Sequence, residues 1–209
     1  MSYRKSVFFT SDWHIGHANS IVFDNRPFKD LDDMHKGLIK RFNACVSEDA
    51  VTYFLGDMGV SSSTLTFEVM NKLNGTKILV LGNHDKQHSA MYNAGFDVVL
   101  NGAVLYIAGQ RVTMSHCPLL GVYREDLSHI PQHKQVAGAN WHGEHKNEAY
   151  TFSNEDQFHL HGHIHSTPDT NKTKPRILGK QFDVGVPARN YQPVSISKIE
   201  SWISNYKKD

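Results

Sequence analysis

Three things are scarce in this chain: cysteine, net charge and long apolar runs. Only two cysteines, Cys45 and Cys117, occur in 209 residues. That excludes a disulfide framework and a zinc ribbon, and the expectation for each is a buried thiol in a reducing compartment. The formal net charge is +1, so no global field draws the chain to long DNA or to an anionic membrane. No apolar run approaches a membrane span, and Met1 to Lys5 leads into strand-like sequence rather than a signal peptide. The reading is a cytoplasmic protein without a membrane partner. With 39% hydrophobic and 21% charged residues, and neither a repeat nor a linker, residues 1–209 read as one globular domain.

Histidine is in excess, at 14 residues, and neutral imidazole is the commonest metal ligand. Placement says more than number. Lys77 to Asp85 reads KILVLGNHD, a short β-branched run that stops at a glycine and then presents an amide, an imidazole and a carboxylate. Such a run reads as a buried strand, with its polar residues on a loop at the sheet edge. The pattern recurs four times: Val7 to Thr10 before Asp12-Trp13-His14, Val51 to Leu55 before Gly56-Asp57, Val112 to Ser115 before His116, and Phe158 to His161 before Gly162-His163-Ile164-His165.

Between these runs, Leu31, Met34, Leu38, Phe42 and Cys45 have helical spacing behind the acids Asp30, Asp32 and Asp33. A second helix is expected from about Thr64 to Leu73 and helix-like sequence near Lys86 to Asn93, whereas Asn19 to Asp30 reads as loop. Strand and helix alternate up to Asn93, which argues for an α/β sheet with parallel neighbours. Asn101-Gly102 and Gly109-Gln110 then read as hairpin turns. Val122 to Asp156 is a long polar stretch without periodicity, read as a loop insertion, and a short helix over Lys198 to Tyr206 closes the chain.

Asp12, His14, Asp57, Asn83, His116, His163 and His165 together offer carboxylate, imidazole and amide without thiolate. That set suits manganese first, with iron, zinc or nickel as alternatives. It is too large for one such ion. If one carboxylate bridges two ions, each receives four protein ligands and keeps room for water and substrate, and such pairs serve in-line phosphoryl displacement.

On these residues the chain resembles the calcineurin-like metallophosphoesterases, whose pattern Asp-x-His, Gly-Asp, Gly-Asn-His-(Asp/Glu), His and Gly-His-x-His stands here complete from Asp12 to His165. It is most similar to small single-domain bacterial and phage members, through His14 to Asn19, Asn25 to Phe28 and Asn190 to Ser195, with a more distant likeness to the SbcD/Mre11 nuclease core. The resemblance implies two packed mixed β-sheets, a β-sandwich core flanked by helices. It implies Asp12, His14 and His165 on one divalent ion, Asn83, His116 and His163 on a second, and Asp57 between them. His84 is then the general acid, oriented by Asp85. The implied reaction is in-line attack of a metal-bound hydroxide on a small phosphodiester or phosphomonoester, a nucleotide by preference. The alternatives are an SbcD/Mre11-type nuclease, with nucleic acid as partner, and a non-catalytic partner-binding scaffold.

Further residues are candidates by position alone. His17, Asn19 and Arg26 follow the first ligand pair and could touch a phosphate. Arg124, Lys134, His142 and His145 lie in the insertion, and Arg189 and Tyr191 follow a late strand.

Overall fold

A computed structural model describes residues 6–59, 63–119, 157–166 and 180–206. The insertion expected at 122–156, with its four candidate residues, lies outside the described residues. In order the elements are β1 (Val7–Thr10), α1 (Ala18–Phe23), α2 (Leu31–Asn43), β2 (Val51–Phe54), α3 (Ser63–Met70), β3 (Thr76–Val80), α4 (His88–Asn93) and β4 (Val98–Leu100). There follow β5 (Ala103–Ile107), β6 (Gln110–Met114), β7 (Phe158–His161), β8 (Gln181–Asp183), β9 (Val194–Ser195) and α5 (Ile196–Tyr206).

The strands form two mixed sheets flanked by helices. One has the order β4-β3-β2-β1-β9 and the other β5-β6-β7-β8. In the first, β1 to β4 run parallel and β9 pairs antiparallel with β1. In the second, β6, β7 and β8 are parallel and β5 is antiparallel to β6. Because side chains alternate along a strand, the four parallel strands of the first sheet feed two cores. Phe54 and Leu79 join Trp13, Met34, Leu38 and Phe42 beneath the helices. Their neighbours Leu55 and Val80 join Phe9, Val112, Met114 and Leu160 between the sheets.

The helix α2 forms as its sequence dictates. Asp30 caps it by accepting the amide of Asp33, acids occupy its first turn, and Lys40 and Arg41 its last. Met34, Leu38 and Phe42, four residues apart, are its buried stripe. Truncating Leu38 to alanine there costs about 2–5 kcal/mol. The hairpin expected at Gly109 forms: Ala108 (φ 50°) and Gly109 (φ 72°) turn β5 into β6 with Ile107 opposite Gln110.

Three expectations are corrected. Ala18–Phe23, within the stretch read largely as loop, is the helix α1, whose one buried residue is Ser20. Asn101-Gly102 is no hairpin turn, since β4 ends in the first sheet and β5 begins in the second. Both cysteines are exposed. Cys45 follows the last turn of α2, beyond Phe42, and Cys117 sits in the loop after β6.

Candidate metal centre

The five loops that follow β1, β2, β3, β6 and β7 meet at the carboxyl ends of parallel strands, where ligands bind in open α/β sheets. Asp12 and His14 flank Trp13, whose ring is buried edge-on against Phe42 and Phe54 while its Nε1 donates to Thr10 Oγ1 at 2.9 Å. With the indole anchored in the helical core, the flanking Asp12 and His14 turn towards the other loops. His14 Nε2 lies 3.0 Å from His165 Nε2 and 3.6 Å from Asp57 Oδ2, and His165 Nε2 lies 3.5 Å from Asp12 Oδ1. On the far side of Asp57, His116 Nε2 is 3.3 Å from the same Oδ2 and 3.0 Å from Asn83 Oδ1. His163 Nδ1 completes that side, 3.0 Å from Asn83 Oδ1 and 3.1 Å from His116 Nε2.

The structure thus gathers all seven residues singled out in the sequence. Two clusters, Asp12-His14-Asp57-His165 and Asp57-His116-His163, each have ligand atoms within 4.8 Å of one another and could hold a metal ion, with Asp57 common to both. The atoms fit that use. Two imidazole nitrogens facing at 3.0 Å can share one proton, whereas a cation between them satisfies both lone pairs.

Backbone strain gathers at the same place. Nine non-glycine residues have positive φ among the described residues, and five of them are Asp12 (60°), His14 (52°), Asp57 (55°), His163 (71°) and His165 (46°). Each left-handed residue costs on the order of 1 kcal/mol or more, so the surrounding bonds must impose it. The His163 amide donates to Asp12 at 3.0 Å. The His84 amide donates to Asp57 Oδ1 at 2.9 Å, leaving Oδ2 aimed at the imidazoles. Gly56 has φ 88°, and a Cβ there would lie 2.6 Å from both Gly82 Cα and His116 Nδ1. Only glycine lets these loops close so tightly.

Behind the clustered side chains lies a further layer of residues that no pattern in the sequence announces. Asp24, at the end of α1, lies 2.8 and 2.9 Å from His165 Nδ1 through its two oxygens. Leu55 offers its carbonyl to His116 Nδ1 at 2.7 Å. The expected phosphate contact by Arg26 is corrected here. Arg26 is 4% exposed, and its guanidinium spans Asp24, the Asp12 and Trp13 carbonyls and Met34 Sδ. Asp85 is corrected likewise: its carboxylate accepts the amides of Asp57, Met58 and Gly82 at 2.8–2.9 Å rather than orienting the His84 ring. His84 itself is 49% exposed, with Nε2 4.0 Å from Asp57 Oδ2. His17 is half-buried with its ring 5.5 Å from that of His14, and Asn19 is exposed on α1. Tyr191 is buried against Phe28, and Arg189 Nε donates to the Asp183 carbonyl, so both have structural partners.

The uncharacterized protein MJ1445 of Methanocaldococcus jannaschii is 31% identical over 210 residues, covering 99% of this chain and 96% of its own. The chain belongs to the MJ1445 family. The Gene 66 protein of Mycobacterium phage D29 is 28% identical, with 88% of each chain covered. No protein-family model matches. The protein of unknown function AQ665 from Aquifex aeolicus has the same fold, with a TM-score of 0.65 over 95% of this chain and 99% of that one, at 21% identity.

Electrostatics in this member of the MJ1445 family favour a cation at the clusters. Burial alone would raise the pKa of Asp12, but its bond to His165 and the nearby imidazoles bring it well below the carboxylate range. Asp57 behaves alike, with burial outweighed by His116 and His14. Burial opposes charge on His165, yet its bonds to Asp12 and Asp24 raise it to about 9. His116 likewise rises well above its ordinary value against burial, through Asp57. His14, buried and beside His165, falls to about 3. The carboxylates therefore pull protons onto the imidazoles around them, and a divalent cation answers the same field.

Proposed function

We propose that this protein is a phosphoesterase working with two divalent metal ions, manganese by preference, on a small phosphodiester or phosphomonoester. The observation that carries the reading is the sharing of Asp57 between two His/Asp clusters at the strand ends. Asp12, His14 and His165 would hold one ion, Asn83, His116 and His163 the other, and Asp57 both. A pair of ions so held supplies Lewis acidity towards phosphoryl oxygens and a water acidic enough to ionise near neutral pH.

The chain's own residues supply the rest. His84 stands at the open side with its main chain fixed to Asp57, and its ring is free to give a proton to the departing oxygen. Asp85 acts on the main chain, holding the turn that carries His84 and Asn83 against the turn that carries Asp57. A nucleotide is the favoured substrate, since a net charge of +1 gives no field for long nucleic acid.

Metal-stripped protein should be inert towards bis-p-nitrophenyl phosphate and recover with Mn²⁺. The comparison panel is p-nitrophenyl phosphate, cyclic nucleotides, mononucleotides and labelled single-stranded DNA. Turnover of DNA alone would move the reading to the nuclease, and no turnover with any divalent ion would leave a scaffold.

A further inference from the structure

We infer that Asp24 is a positioning residue for one half of the metal centre, with Arg26 as its anchor; the inference rests on the two-ion reading above. Asp24 is 9% exposed and Arg26 4%. Asp24 holds His165 Nδ1 at 2.8 and 2.9 Å, so one proton of that imidazole is kept on Nδ1, and Nε2, which faces His14 and Asp12, is the nitrogen left to give its lone pair to an ion once its own proton is displaced. A carboxylate behind a ligand imidazole fixes its tautomer and strengthens it as a donor.

Arg26 gives this arrangement its rigidity. Nε and Nη2 both donate to Asp24 Oδ2, at 3.0 and 2.8 Å. The same guanidinium donates to the Asp12 carbonyl through Nη2 and to the Trp13 carbonyl through Nη1, each at 3.0 Å. One side chain therefore ties the loop bearing Asp12 and His14 to the carboxylate that steers His165, which is 141 residues from Asp24. The other cluster is built differently, because His116 Nδ1 rests on the neutral Leu55 carbonyl. Loss of Asp24 should therefore weaken one ion and spare its neighbour.

The experiment is Mn²⁺ titration calorimetry on metal-free wild type, Asp24→Asn and Asp24→Ser, with imidazole ¹⁵N NMR of the metal-free proteins. Wild type should bind two ions and show a slowly exchanging His165 Nδ1 proton. Asp24→Asn keeps the shape and loses the charge. It should lose that proton signal and weaken one binding event by about 10- to 100-fold, the other changing less than about twofold. Equal weakening of both ions, or binding as in wild type, would overturn the inference. Melting of the metal-free proteins identifies which variant retains the wild-type fold, and that variant is the one read; loss of the fold in both would make Asp24 a folding residue and overturn the positioning role. If wild type binds no divalent ion, the phosphoesterase reading falls, while the Nδ1 proton still decides whether Asp24 holds His165 by that nitrogen.

Discussion

Asp85 accepts the main-chain amide of Asp57 at 2.9 Å with the same oxygen that accepts Gly82 at 2.8 Å. One carboxylate thus ties the turn after β2 to the turn after β3, and holds Asp57 without touching its side chain. Replacing Asp85 by alanine orphans three amides, and the expected cost is about 3 kcal/mol in urea unfolding of the metal-free protein. Activity should fall equally on activated and unactivated esters, because the geometry of Asp57 suffers rather than proton transfer. A loss confined to poor leaving groups would return Asp85 to the proton-transfer pair.

His84→Ala tests the acid role directly. Two Mn²⁺ per chain should remain, while turnover of esters with poor leaving groups drops by about 10²–10⁴-fold and that of p-nitrophenyl esters much less. A uniform drop across leaving groups would remove His84 from that role.

Asp57→Asn should disturb both ions together, since Asp57 stands in both clusters. Metal analysis after dialysis reads this. A variant that loses a single ion argues against the shared position.

Metal binding should release protons. In the metal-free protein His165 carries a proton up to about pH 9, because Asp12 and Asp24 outweigh burial. A bound ion displaces that proton, so below pH 9 affinity rises with pH, by up to tenfold per unit for one proton, and levels off above it. Calorimetry in buffers of different ionisation heat measures the release. Affinity unchanged between pH 6.5 and 8.5 would contradict the charge pattern.

Gly56→Ala adds a Cβ where φ is 88° and where Gly82 Cα and His116 Nδ1 stand 2.6 Å away. The loops must part, so stability should fall by more than about 2 kcal/mol and metal affinity with it. Chemical denaturation and Mn²⁺ titration together check this.

The seven clustered residues could be picked out from sequence because they follow five apolar runs, so a local pattern carries the placement. Asp24 and Arg26 could not. Their partners are His165, 141 residues on, and the carbonyls of Asp12 and Trp13, which no side-chain pattern encodes. Arg26 beside Asp12 and His14 looked like a phosphate contact, and only its burial shows where its donors go. The helix α1 was hidden because six residues with one buried position and no side-chain cap leave no periodicity to see. Asn101-Gly102 marks a turn, but turn chemistry says nothing about which sheet receives the next strand.

That change of sheet has a mechanical consequence. Asp12, His14, Asp57 and Asn83 come from the half of the chain before the crossover, and His116, His163 and His165 from the half after it. Any ion seated among them works as a clasp between the halves, and at a hundredfold excess over its Kd it would add about 2.7 kcal/mol to their closure. Chelation should therefore loosen the meeting of these loops before it melts either sheet.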